Sequence, residues 1–199
     1  MTDVLPPTPA GLARAAELLR SGEVVAFPTD TVYGVGVAAS RPDRVDALFA
    51  LKRRPRDRRI PILVTELRQA ADAGWPADDR AGALAERFWP GALTLVLGGA
   101  AGSQAFRAPD HAVALDLIRA AGPLYATSAN ISDQPDTLGA DEVLIAFAVD
   151  QDALAAVVDG GPVPGGIAST VVDLSVTPAR ILRDGPIPAA RLGEVIALA

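Results

Sequence analysis

The sequence predicts an α/β domain built on an open, mixed, twisted sheet with flanking helices. Strand patterns alternate with amphipathic helical patterns through the first two thirds of the chain, and three strand patterns follow one another in the last third. Half of the 199 residues are hydrophobic and 21% are charged, which excludes intrinsic disorder. Because no polar linker divides the chain, residues 1–199 are predicted to form a single domain.

Residues typical of helix and strand ends indicate where the first helix and the strand after it begin and end. Thr8 followed by Pro9 is typical of a helix start, and the apolar positions that follow at helical spacing end at Gly22. The apolar run over residues 23–27 then predicts a strand that Pro28 ends, and the segment 29–36 is predicted to be a loop.

The remaining elements follow from the same two periodicities. Apolar residues at helical spacing predict helices over residues 42–51, 66–73, 78–88, 109–122 and 141–147, with a last helix after residue 188. Short apolar runs predict strands over residues 60–64, 93–97, 124–127, 156–158, 170–174 and 179–182, with an extended segment leading to Arg107. Loops that follow strand ends are expected to carry the site.

The composition argues against several kinds of active site, and the sequence shows neither a membrane span nor a secretory signal. The chain has no cysteine and one histidine, which excludes disulfides, thiolate nucleophiles and most zinc sites. No apolar run is long enough to cross a membrane, and the proline-rich N-terminal residues do not resemble a secretory signal. We therefore expect a cytoplasmic protein that makes no membrane contact.

A cationic segment stands out in an otherwise acidic chain. Residues 52–59 carry six basic residues and one acidic residue, although the whole chain has a net charge of −6. Such a segment is either a solvated arginine run or a site for a small polyanion such as a nucleoside triphosphate. Lys52 is the one lysine among 18 basic residues, and this favours the second interpretation, because it indicates a position that needs a compact ammonium.

Taken singly, the polar motifs have ordinary structural explanations. Gly34 and Gly36 fit turn geometry, Asp30 fits an Asx-turn as well as a metal ligand, and His111 is expected on a helix surface.

In combination and in this order, however, the motifs identify a family. The chain resembles the YrdC/TsaC-type threonylcarbamoyl-AMP synthases from about Gly22 to Gly185. The resemblance rests on PTDTVYGVG at residues 28–36, KRRP at 52–55, WPG at 89–91, TSAN at 127–130 and STVVD at 169–173.

The resemblance implies a YrdC-like sheet around a cationic concave pocket. It also implies an enzyme that condenses L-threonine, bicarbonate and ATP, the last with Mg²⁺, to threonylcarbamoyl-AMP and pyrophosphate. A downstream complex would use this product to form N6-threonylcarbamoyladenosine at position 37 of tRNA. No stable direct contact of this chain with nucleic acid is expected.

The resemblance assigns roles residue by residue. Lys52 and Arg54 are the expected catalytic cations, and no side chain is expected to be a metal ligand. The expected ATP contacts are Lys52, Arg54, Arg58, Ser103, Asn130 and Arg183. The expected threonine contacts are Thr31, Arg107, Ser128 and Ser169.

The chain departs from the family pattern at three places. Leu63 aligns with a frequent histidine near the threonine pocket, and Asp133 aligns with a frequent glycine. A threonine often found further along falls on Leu138 or, with a one-residue shift, on Thr137. The extra C-terminal domain of longer members is not expected here.

Two alternative functions are compatible with the same fold. One is an RNA-binding or ribosome-maturation module, which the cationic segment favours and the pI of about 4.7 opposes. The other is a carbamoyl-adenylate domain of hydrogenase maturation, but such domains belong to much longer chains.

Overall fold

Ten strands and seven α-helices make up the computed structural model, which describes residues 2–56, 58–165 and 167–199. Asp57, the acidic residue of the cationic segment, therefore lies outside the described residues. The strands are β1 (Asp3–Leu5), β2 (Val25–Phe27), β3 (Gly34–Ala38), β4 (Ile62–Leu63), β5 (Leu93–Gly99), β6 (Gly102–Arg107), β7 (Leu124–Ser128), β8 (Ala156–Val158), β9 (Thr170–Asp173) and β10 (Arg180–Arg183). The helices are α1 (Pro9–Ser21), α2 (Val45–Lys52), α3 (Arg68–Asp72), α4 (Asp79–Phe88), α5 (Ala112–Ala121), α6 (Ala140–Ala146) and α7 (Ala189–Gly193).

All ten strands join in one sheet, in the order β1-β8-β2-β3-β7-β4-β6-β5-β9-β10. The β1–β8, β2–β8, β4–β6 and β5–β9 pairs are parallel, and the other pairs are antiparallel. The prediction of a mixed sheet with flanking helices is thus confirmed.

Two helices begin with a side-chain cap, and the first of these caps, at Thr8, was predicted. The Thr8 side chain accepts a hydrogen bond from Gly11 N at the start of α1, and Asp78 accepts one from Ala81 N at the start of α4. At the end of α1, Gly22 has a left-handed φ of 95°.

The predicted loop over residues 29–36 is shorter than expected, because its last three residues belong to strand β3. β3 pairs with β2 on one side and β7 on the other. A Cβ at Gly36 would lie 2.7 Å from the Tyr125 carbonyl oxygen, so the glycine allows close approach within the sheet rather than a turn. Strand β1 is also missing from the prediction, since three residues next to prolines give little periodicity.

Side chains alternate between core and cavity along the central strands. Leu93 and Leu95 on β5 and Phe106 on β6 are fully buried in one apolar cluster. Thr94 and Arg107, from the same strands, point to the opposite face and line a cavity. On the β1-β8-β2 side of the sheet, α1 packs against α5. Among the described residues, we find no helix with the length and hydropathy needed to cross a bilayer.

Candidate active site

A cavity of about 420 Å³ lies over the central strands of the sheet. Its walls come from the loop after β2, the loop after α2, strands β4 to β7, the start of β9 and the end of β10. The lining residues are Thr29, Thr31, Val32, Gly34, Arg54, Arg59, Pro61, Leu63, Thr94, Ala105, Arg107, Ala126, Thr127, Ser128, Asp136, Ala168, Ser169, Val171 and Arg183.

The charge of the cavity is strongly positive. Its lining includes four arginines, and Asp136 is the one carboxylate among the lining residues in the described part of the chain. Hydroxyl groups of threonine and serine stand between these charges. Such a lining is suited to an anionic ligand with further hydrogen-bonding groups.

Arg107, at the end of β6, is held by three contacts with its own chain. Its NH2 lies 2.6 Å from Asp30 Oδ1, its NH1 lies 3.2 Å from Thr31 Oγ1, and its Nε donates to the Gly91 carbonyl oxygen at 3.0 Å. Burial lowers the pKa of Arg107, and the charge of Asp30 opposes that shift. The guanidinium remains charged, because arginine keeps its proton at any physiological pH.

Ser169, just before β9, is fixed from both sides. Its hydroxyl lies 2.8 Å from the Thr94 hydroxyl of β5. Arg183, from β10, donates to both the Ser169 carbonyl oxygen and its hydroxyl, at 3.0 and 3.2 Å. Burial lowers the pKa of Arg183, and the neighbouring charge of Arg107 adds to that shift.

Lys52 lies behind the cavity wall and is 1% exposed. Its ammonium donates to the carbonyl oxygens of Ser128 and Asn130 and, at 3.1 Å, to Asn130 Oδ1. Burial lowers the pKa of Lys52 to about 8. All three N–H groups therefore support the turn after β7.

Asn130 is the centre of that turn. Its Oδ1 accepts from the Ser128 hydroxyl at 2.6 Å, and its Nδ2 donates to the Gln134 carbonyl oxygen at 2.6 Å. The Thr137 hydroxyl donates to the Ala129 carbonyl oxygen at 3.0 Å, which closes the loop on itself. Thr137 thus has a structural bond, while Leu138 contacts the apolar core.

The arginines of the cationic segment shape the loop after α2. Arg54 donates to the carbonyl oxygens of Arg58 and Arg59 at 3.0 and 3.2 Å. Arg59 donates to the Ser103 carbonyl oxygen and hydroxyl on β6. Arg58 lies 3.1 Å from Asp133 of the loop after β7, and both side chains are exposed.

The structure brings most of the predicted residues to one place. Those that line the cavity are Thr31, Arg54, Arg107, Ser128, Ser169 and Arg183. Lys52, Arg58, Ser103 and Asn130 are outside its lining, and each contacts a loop that forms a wall. Leu63 lines the cavity, as its alignment with a pocket residue suggests.

Sequence reasoning missed several lining residues, namely Thr29, Arg59, Thr94 and Asp136. Thr29 and Thr94 had a signal, since one is inside PTDTVYGVG and the other follows WPG by three residues. Arg59 looks like any other arginine of its segment, and a single aspartate in a loop carries no periodicity.

Comparison with known proteins places the chain in a family. The Sua5/YciO/YrdC family model, described as telomere recombination, matches residues 17–185. A Bacillus subtilis threonylcarbamoyl-AMP synthase is 41% identical over 209 residues, which cover 98% of this chain and 59% of that protein. A Mycobacterium tuberculosis protein, named only provisionally as a threonylcarbamoyl-AMP synthase, is 36% identical over 94% of this chain and 89% of its own.

Solved structures agree with this placement. Sua5 of Pyrococcus abyssi, crystallised with L-threonine, superposes with a TM-score of 0.90 at 33% identity and covers 100% of this chain and 62% of that one. Escherichia coli YciO has a TM-score of 0.81 at 20% identity, covers 94% of this chain and 96% of that one, and shares the fold. The chain spans about three fifths of the Bacillus subtilis and Pyrococcus abyssi proteins. It belongs to the Sua5/YciO/YrdC family.

Proposed function

We propose that this chain is an L-threonylcarbamoyladenylate synthase, which condenses L-threonine, bicarbonate and ATP to threonylcarbamoyl-AMP and pyrophosphate. The observation that carries the proposal is one cavity in which four arginines stand beside the hydroxyls of Thr31, Thr94, Ser128 and Ser169. Relatives named as threonylcarbamoyl-AMP synthases support it.

The amino acid would bind at the Arg107 end of the cavity. A guanidinium has five N–H groups, and the contacts of Arg107 with its own chain use one on each nitrogen. One N–H on each terminal nitrogen is left without a partner from the described residues, so the guanidinium can still donate to a carboxylate. The threonine-bound relative supports the choice of this ligand.

The triphosphate would bind along the remaining arginines. Arg54, Arg59 and Arg183 line the cavity and would neutralise phosphate charge. Lys52 and Asn130 would support the nucleotide site indirectly, by holding the turn after β7.

The chemistry requires positioning more than covalent participation by the protein. Bicarbonate takes up a proton and loses water to give CO₂, the neutral threonine amine adds to that CO₂ to form a carbamate, and the proton released by the amine balances the one that bicarbonate took up. A carbamate oxygen then attacks the α-phosphorus of ATP. The bond from that phosphorus to the bridging oxygen of the β-phosphate breaks, and pyrophosphate leaves with the negative charge. Fixed arginines would stabilise the charge that grows on the leaving group.

Mg²⁺ would accompany ATP rather than reside on the protein. No group of three or more histidine, aspartate or glutamate side chains in the described residues could hold a metal ion. Asp136 is the lining carboxylate, and one carboxylate together with substrate phosphates is a common Mg²⁺ environment, so the residues fit. The ion would neutralise phosphate charge there.

The product would be a reactive mixed anhydride, and this implies a downstream partner that consumes it. We propose that this partner is a tRNA-modifying complex and that the chain acts in the cytoplasm, without stable nucleic-acid binding of its own. The acidic pI of about 4.7 supports the last point.

The proposal is tested by measuring pyrophosphate release from ATP with the purified protein. Release should require both threonine and bicarbonate, because the carbamate that attacks ATP exists only after the threonine amine has captured CO₂. Release that persists when either one is omitted would contradict the mechanism. Mass spectrometry of the nucleotide product should show the threonylcarbamoyl adduct of AMP.

A further inference from the structure

Asp30 is the acidic partner of Arg107, which lines the cavity. The carboxylate and the guanidinium are 15% and 10% exposed, and they lie 2.6 Å apart. A buried guanidinium with no counter-charge is strongly unfavourable, so this carboxylate determines whether Arg107 keeps its place.

The loop after β2 is built to present Asp30 in this orientation. The Thr29 hydroxyl accepts from the backbone nitrogens of Thr31 and Val32 and donates to the Val32 carbonyl oxygen at 2.7 Å. These bonds fix the turn locally, and Asp30 and Thr31 both reach Arg107 as a result.

His111, the residue before α5, also interacts with the charge of Asp30. Burial lowers the pKa of His111 below its ordinary value, against the opposing charges of Asp30 and Asp110. The imidazole is therefore neutral at pH 7, and Arg107 is the cation that Asp30 holds.

We propose, building on the function proposed above, that Asp30 is a positioning residue that orients the Arg107 guanidinium for the carboxylate of the amino-acid substrate. Asp30 holds one N–H of NH2, Thr31 holds one of NH1, and Gly91 holds Nε. Because the Nε–H donates to Gly91, a carboxylate cannot bind the guanidinium edge formed by Nε and a terminal nitrogen. Recognition of the carboxylate therefore uses the terminal nitrogens only. In this proposal Asp30 acts on the substrate only through Arg107.

The test compares Asp30→Asn with Asp173→Asn in the full chain. Asp173 is a matched control, since its side chain is 10% exposed and lies 3.6 Å from Arg180, outside the cavity lining. Both variants lose a buried negative charge and are expected to melt at a lower temperature. In Asp30→Asn the KM for threonine should rise at least tenfold, with the KM for ATP within twofold of wild type. In Asp173→Asn both KM values should stay within twofold.

A second measurement does not depend on turnover. The Arg107 Nε–H, hydrogen-bonded and buried, should give a protected side-chain NMR signal in the wild type, assigned by its loss in Arg107→Lys. That signal should exchange rapidly in Asp30→Asn and persist in Asp173→Asn. A protected signal in Asp30→Asn, or an unchanged KM for threonine, would overturn the inference. If the wild type releases no pyrophosphate with threonine and bicarbonate, the proposed function fails, and the NMR signal alone decides the role of Asp30.

Discussion

Lys52 donates to both oxygens of Asn130, a residue 78 positions further along the chain. A third donation goes to the Ser128 carbonyl oxygen, and the Ser132 backbone nitrogen donates back to the Lys52 carbonyl oxygen. The end of α2 and the turn after β7 are therefore one unit, and the chain's single lysine joins them.

Lys52→Arg should impair this unit although it preserves the charge. The guanidinium is larger and planar, and it cannot direct three N–H groups at one turn as the ammonium does. At a side chain that is 1% exposed, overpacking costs about 1–3 kcal/mol, and we expect a lower melting temperature with at least a tenfold loss of pyrophosphate release. Arg53→Lys is the control, because the Arg53 side chain is 65% exposed, and it should retain both properties. Near-wild-type activity of Lys52→Arg would show that the compact ammonium is not needed.

The same lysine predicts a pH dependence. With a pKa of about 8, Lys52 is ~90% charged at pH 7 and ~10% charged at pH 9. Loss of the proton removes one donor from the turn, so kcat/KM for ATP should fall as the pH rises through 8.

The contribution of Lys52 to stability should rise with pH, whereas kcat/KM falls. The folded-state pKa is below the unfolded value of 10.5, so the unfolded chain binds more protons between pH 8 and 10.5. The Lys52 contribution to the free energy of unfolding therefore increases with pH in that window. Chemical denaturation at pH 7 and 9, compared with that of Lys52→Met, measures this contribution; a decrease with pH would contradict it.

Gly185→Ala should disturb the start of β9. A Cβ at this position would lie 2.3 Å from the Thr170 nitrogen and 2.6 Å from the Ala168 carbonyl oxygen. Backbone atoms cannot yield as a flexible side chain can, so the variant should lose at least 1–3 kcal/mol of stability and displace Ser169. Gly193→Ala is the control, because a Cβ there would meet no atom within 4 Å among the described residues outside its own helical turn, and its melting temperature should be unchanged or slightly higher.

The hydroxyl pair of Thr94 and Ser169 should act as one recognition group. Because the two oxygens are 2.8 Å apart, Thr94→Val and Ser169→Ala each remove the same hydrogen bond. We expect both variants to raise the KM for threonine, and the double variant to be less impaired than the product of the two effects. A double-mutant cycle on kcat/KM should give a coupling energy of about 0.5–1.5 kcal/mol. Independent, multiplicative effects would show that Thr94 does not orient Ser169.

The fold was largely predictable because its signals are local. The Thr8 and Asp78 caps and the apolar periodicity of α1 and α4 each lie within a few residues of the element that they predict. Strand β3 was not predicted because its glycines are needed for close approach to Phe27 and Tyr125. Those two residues become neighbours of β3 only when the sheet forms.

The sequence indicates which residues lie at the cavity but not which atoms they contact there. Arg107 and Ser169 line the cavity as the family motifs imply, whereas Lys52 is directed into a turn rather than into the cavity. A lone lysine signals that an ammonium is needed, and no sequence pattern says which oxygens surround it. Asp133 illustrates the same limit, since its left-handed φ of 65° explains why a glycine suits the position.

The sheet order has a consequence for how the protein is made. Thr170 of β9 pairs with Leu93 of β5, and Ser169 completes the cavity next to Thr94. Arg183 of β10 also lines the cavity, so a growing chain on the ribosome has no complete cavity until β10 has emerged. None of the substrates can stabilise the shorter nascent chains by binding them, and the helices and hairpins made earlier must stay soluble without that help. Ligand-dependent protection from proteolysis should appear only in chains that extend beyond β10.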